Sequence, residues 1–161
     1  MFKKIIFIAL LVQSSLLAAN NFLDTQYGQD GVEVHLLKAK VTNNVLTIAF
    51  MVDNSTEKTV RLHAMPVQDV HYTTKDKKYT ALKDTEGKWL ASTITYGSNR
   101  TRISNILFSA SEEGHGGNHE MYMSKKEKRI GWVKFEAPAD DQWPIEVTLP
   151  GVTPFAIEKP Q

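Results

Sequence analysis

Val32-Glu33-Val34-His35-Leu36-Leu37-Lys38-Ala39-Lys40-Val41-Thr42-Asn43-Asn44-Val45-Leu46-Thr47-Ile48-Ala49-Phe50-Met51-Val52-Asp53 is the stretch whose reading fixes the fold class. Val32, Val34 and Leu36 alternate with Glu33 and His35, the period that lines up apolar side chains on one face of a strand. At Leu36-Leu37 the phase slips, and Leu37, Ala39 and Val41 then alternate with Lys38 and Lys40. A bulge near Leu37 produces such a slip, because an extra residue in one strand turns every later side chain over. Thr42-Asn43-Asn44 is a turn, since asparagine tolerates left-handed backbone angles, and Leu46, Ile48, Phe50 and Val52 run back as an apolar face. The stretch is therefore a hairpin with one buried side. His35 shares its face with Glu33 and is expected to look into solvent.

Outward from this hairpin the same period continues. Asp53-Asn54-Ser55 closes the return strand, Thr59 to Leu62 begins another, and Pro66 limits how far its ladder runs. Val70 to Thr74 and Lys78 to Leu82 flank the charged turn Lys75-Asp76-Lys77. Tyr79 to Lys83 and Lys88 to Ser92 flank Asp84-Thr85-Glu86-Gly87, where the glycine supplies a positive φ. Arg102 to Ala110 is apolar-rich, Val133, Phe135 and Ala137 share a face, and Ile145, Val147 and Leu149 end the series. No helical pattern competes. Short strands separated by regular turn signals predict an all-β chain, an antiparallel β-sandwich of immunoglobulin-like type, with a small barrel as the alternative.

The segment from Asp76 through Tyr79, Gly87 and Trp89 to Ser92 resembles a hairpin of bacterial secreted immunoglobulin-like domains. Phe135-Glu136-Ala137-Pro138 and the run from Val147 through Pro150-Gly151 to Phe155 resemble the last two strands of such domains. The resemblance spreads over most of the chain past residue 20 and consists of turn and core residues. It implies a fold and brings no catalytic residue with it.

Met1 to Lys4 form a short basic start, Ile5 to Val12 an apolar run, and Leu16-Leu17-Ala18-Ala19 a cleavage region before Asn20-Asn21. The expected organisation is a signal peptide over 1–19 and one domain over 20–161, which places the protein in the periplasm or secreted medium. The apolar run is too short to span a bilayer, so no integral membrane protein is expected after cleavage. Formal net charge is +1, and loss of Lys3 and Lys4 takes it to about −1, which is no footprint for nucleic acid. The chain has no cysteine, so the domain relies on its packed core in an oxidising compartment.

Catalytic patterns are missing from the sequence. There is no Gly-x-Ser-x-Gly elbow, no phosphate-cradling glycine loop and no thiol nucleophile, and His119-Glu120 is not continued by a histidine as a zinc-protease helix requires. An enzyme is not expected. One segment carries ligand chemistry: Gly114-His115-Gly116-Gly117-Asn118-His119-Glu120-Met121-Tyr122-Met123 gathers imidazoles and thioethers. Thioether sulfur prefers Cu(I), and imidazole suits copper as well, so His115, His119, Met121 and Met123 form a candidate copper loop. His63 and Met65 lie two apart, which on an extended strand puts both on one face and makes them candidates to complete the site. The plain alternative is a surface loop followed by a strand whose Met121 and Met123 are core residues.

Two functions follow. The first is an exported non-enzymatic binding or accessory domain that presents a sheet face or end loops to an envelope or exported protein. Its signature would be an exposed apolar patch around Trp132, the tryptophan set opposite Val133 and Phe135. The second is a periplasmic copper-binding protein using the His/Met loop.

Overall fold

The computed structural model describes residues 22–96, 106–110 and 119–160. The expected signal segment 1–19, the first part of the apolar stretch at Arg102, and His115 lie outside the described residues. The described chain is all-β. Its strands in order are β1 (Asp24–Tyr27), β2 (Glu33–Thr42), β3 (Val45–Asp53), β4 (Val60–His63), β5 (Met65–Pro66), β6 (His71–Thr73) and β7 (Lys78–Thr80). They continue as β8 (Ile94–Tyr96), β9 (Phe108–Ala110), β10 (Glu120–Met123), β11 (Lys128–Glu136), β12 (Ile145–Thr148) and β13 (Phe155–Ile157). Helical structure is confined to single 3₁₀ turns such as Gln29–Gly31, and among the described residues no helix is long and apolar enough to cross a membrane.

The opening hairpin forms as its pattern dictates. β2 and β3 pair antiparallel from Glu33↔Asp53 to Thr42↔Val45, and the register shifts between Leu36 and Lys38, so Leu37 is the extra residue. Asn43 and Asn44 join the strands at φ 50° and 59°, the paired left-handed angles that match the twist of a two-residue hairpin. β1 and β11 flank the hairpin, giving a four-stranded antiparallel sheet in the order β1-β2-β3-β11. A second antiparallel sheet runs β13-β12-β6-β7, and β10 pairs with β4. One departure from an all-antiparallel arrangement is β9, which pairs parallel with both β5 and β8.

The core lies between the sheets. Val34, Leu36, Leu46, Ile48, Phe50, Val133 and Phe135 meet Leu62, Tyr72, Val147 and Phe155 in one buried cluster. Phe135 meets Tyr72 edge-on at 5.4 Å between ring centroids, and the Tyr72 hydroxyl donates to the Glu136 carbonyl, tying the two layers together. Burial pushes the Tyr72 phenol well above its ordinary value, with the neighbouring Tyr79 and Glu136 adding to the effect. Gly131 lies on the core side of β11, where a Cβ would stand 2.7 Å from Leu107 Cδ1 and 2.8 Å from Phe50 Cζ. Only glycine lets β11 approach that packing so closely.

Candidate functional site

The registers of β2, β3 and β11 set the outward face of the larger sheet in rows. The alternation that buries Val34, Leu36, Ile48 and Val133 must turn their neighbours the other way. From one end the rows read Glu33–Asp53–Lys128, His35–Met51–Ile130, Lys38–Ala49–Trp132 and Lys40–Thr47–Lys134. The first row closes on itself: Lys128 Nζ stands 3.0 Å from Asp53 Oδ2. In the second, His35 is not solvent-facing as its alternation suggests. It is only 5% exposed, because Phe22 stacks on the imidazole at 4.0 Å and 15°. Its Nδ1 meets Thr25 Oγ1 at 2.8 Å, and Nε2 lies 3.4 Å from Glu33 and 3.8 Å from Asp53. Sequence alternation missed this node because the cover comes from a strand and an aromatic ring at the edge of the sheet, which the hairpin's own period does not encode.

The outer part of the face is open. Ile130 is 65% exposed and Trp132 37%, side by side on β11. Lys134 Nζ sits over the Trp132 ring at 5.6 Å. Between these residues and the exposed Lys38 and Lys40 of β2, the central strand offers only Thr47 and Ala49. The face is thus a shallow trough with a small-residue floor, a lysine wall on one side and a tryptophan–lysine wall on the other. The β11 edge beside it is capped. Leu82 N donates to Lys134 O, Lys134 N to Leu90 O and Ser92 N to Trp132 O, so ligand access is from the face rather than by strand addition at that edge.

The His/Met candidates are distributed over two faces of the β4–β10 pair. Met121 and Met123 are core residues of β10, 4% and 0% exposed, as the alternation with Tyr122 requires. His119 precedes them on the same side, and its backbone carbonyl accepts from Ala64 N at 2.8 Å. It is buried, and its Nε2 has no hydrogen-bond partner among the described residues. His63 pairs with Glu120 on the outward face, whereas Met65 is buried, so the same-face expectation for these two does not hold. The reason is local: the strand breaks at Ala64, where the chain leaves β10 and takes up pairing with β9.

The structure nevertheless brings Met65, Met121 and His63 to the wall of one apolar cleft, closed by the turns at Gly28–Gln29 and Pro150–Val152. Gln29 Oε1 accepts from His63 N at 3.1 Å and fixes one rim. Behind the cleft, the buried Arg129 donates to the Ile106 and Tyr122 carbonyls at 3.2 and 2.5 Å, to Glu127 at 2.7 Å, and to Met121 Sδ at 3.8 Å. Desolvation raises the Glu127 carboxyl, but hydrogen bonds from Arg129 and Ser124 together outweigh it and hold it below its ordinary value. Among the described residues, no three His, Cys, Asp or Glu side chains are grouped to hold a metal ion. No protein-family model, curated protein or solved structure matches this chain.

Proposed function

We propose that this chain is an exported, non-enzymatic binding module that docks an envelope or exported protein on the outward face of its larger sheet. The observation that carries the reading is the pair Ile130 and Trp132, 65% and 37% exposed on β11, whose outer edge is capped by backbone hydrogen bonds with Leu82, Leu90 and Ser92. Large apolar side chains held outward on rigid strands are what a docking surface needs, since ordering entropy is already spent in the fold. The resemblance to bacterial secreted immunoglobulin-like domains supports it as well. A non-enzymatic role fits the one hydroxyl–imidazole–carboxylate chain in the described fold, Thr25–His35–Glu33: it is covered by Phe22 and lies on the opposite side of β2 from the cleft-lining Val34.

Site-specific photo-crosslinking tests the reading. A crosslinking side chain at Ile130 or Trp132 should trap one discrete partner in the exported fraction, while the same group at Glu146, exposed on the other sheet, should trap none. Equal capture from both positions, or none from either, would contradict it.

The second reading is Cu(I) binding, favoured by the meeting of Met65, Met121 and His63 at one cleft and by the buried His119 just before β10, whose Nε2 has no hydrogen-bond partner among the described residues. Thioether and imidazole donors in an apolar setting suit Cu(I). Competition against a chromophoric Cu(I) chelator should then show binding that falls with acid, as imidazole ligation requires. It should weaken in Met65→Leu with Met121→Leu, and in His115→Ala with His119→Ala. Unchanged affinity in both pairs would remove copper from the account.

A further inference from the structure

We infer that the occupant of the outward face is an extended, acidic segment of a partner protein, lying along β3 between the Lys38–Lys40 wall and the Trp132–Lys134 wall. The inference rests on the reading of this face as a docking surface and adds the chemistry of what docks there. Charge comes first. The two rows Lys38–Ala49–Trp132 and Lys40–Thr47–Lys134 hold three lysines and no acid. None of the three makes an ion pair among the described residues, which Lys58, Lys75, Lys77, Lys78, Lys83 and Lys125 share; what sets Lys38, Lys40 and Lys134 apart is that the strand registers gather them on one rigid sheet face. Cations left without carboxylates on a rigid face select an anionic partner.

Spacing comes second. Lys38 and Lys40 are alternate residues of one strand, so their side chains emerge roughly 6.6–6.8 Å apart along it. Carboxylates at alternate positions of an extended peptide repeat at that same distance. The walls stand two strands apart, roughly 9–10 Å, which is the width of one extended chain. Ala49 and Thr47 leave the floor low enough to admit it. Shape comes third: Ile130 and Trp132 stand exposed on β11, so a segment lying along β3 meets Lys38 and Lys40 on its β2 side and apolar side chains on its β11 side. An alternating acidic and β-branched sequence satisfies both.

The test uses a synthetic octapeptide of alternating Glu and Val titrated into isotopically labelled protein, with backbone amides and the Trp132 indole read by NMR. Shifts should be confined to Lys38, Lys40, Thr47, Ala49, Ile130, Trp132 and Lys134, and affinity should fall as salt rises. Lys38→Glu with Lys40→Glu should lower affinity by about tenfold or more. A Thr-Val octapeptide that binds equally well would overturn the acidic requirement. Polyglucuronate that binds the same rows more tightly than the peptide would assign the face to an anionic glycan and overturn the peptide. No shift with any probe would also overturn the inference. The docking reading itself is judged separately, by whether Ile130 still crosslinks a partner.

Discussion

The two sides of β11 are made from alternate residues of one strand and behave as different materials. Arg129, Gly131, Val133 and Phe135 face inward, where every neighbour is fixed and a single added carbon would collide. Lys128, Ile130, Trp132 and Lys134 face outward, where large side chains remain accessible and bear little on the packing. The difference teaches that the strand's period separates the work: one face specifies the fold, and the other is free to carry recognition. Substitutions on each side should therefore have opposite signatures.

The largest effect belongs to the inner side. Phe50→Ala empties the contact shared by Gly131 and Phe108, and chemical denaturation should show a loss of about 4 kcal/mol. Arg129→Ala comes next, at about 3 kcal/mol, because it strips donors from the buried carbonyl of Ile106 and the part-buried carbonyl of Tyr122 and removes the partner of Glu127. Gly131→Ala should cost about 1–2 kcal/mol by overpacking against Leu107 and Phe50, visible as a lower thermal midpoint with no change in the far-ultraviolet spectrum.

A smaller effect comes from the Glu127–Arg129 pair. The folded-state value of Glu127 is below its ordinary 4.5, so its contribution to stability is complete above that pH and is lost as pH falls through the lower folded value. Urea midpoints measured down this acid range should decline less steeply for Glu127→Gln than for the wild type. Smallest of all are the outward changes: Ile130→Thr and Trp132→Ser should shift stability by no more than about 0.5 kcal/mol. A large loss from either would break the division between the faces.

Much of this fold was legible in the hairpin alone. The phase slip at Leu36-Leu37 became the register shift, Asn43-Asn44 the left-handed turn, and Trp132 the outward tryptophan, because each depends on local backbone geometry. The short strands β1, β8 and β13 were less legible, since three or four residues give too few alternations to stand out from loop sequence. Burial of His35 required knowing that Phe22 folds over it, and the separation of His63 from Met65 required knowing that the strand changes partners at Ala64. The trough of Lys38, Lys40, Trp132 and Lys134 was likewise invisible one strand at a time. It exists only when the registers of β2 and β11 on β3 are both known.

The central claim is that the outward face binds while the inward face folds, and one measurement meets it directly. Crosslinking from Ile130 should be compared between the wild type and Lys38→Glu with Lys40→Glu, alongside the thermal midpoint of each. The account predicts that the crosslinked partner is lost from the charge-reversed protein while its midpoint is unchanged. Retention of the crosslink at full yield in a stably folded variant would contradict it.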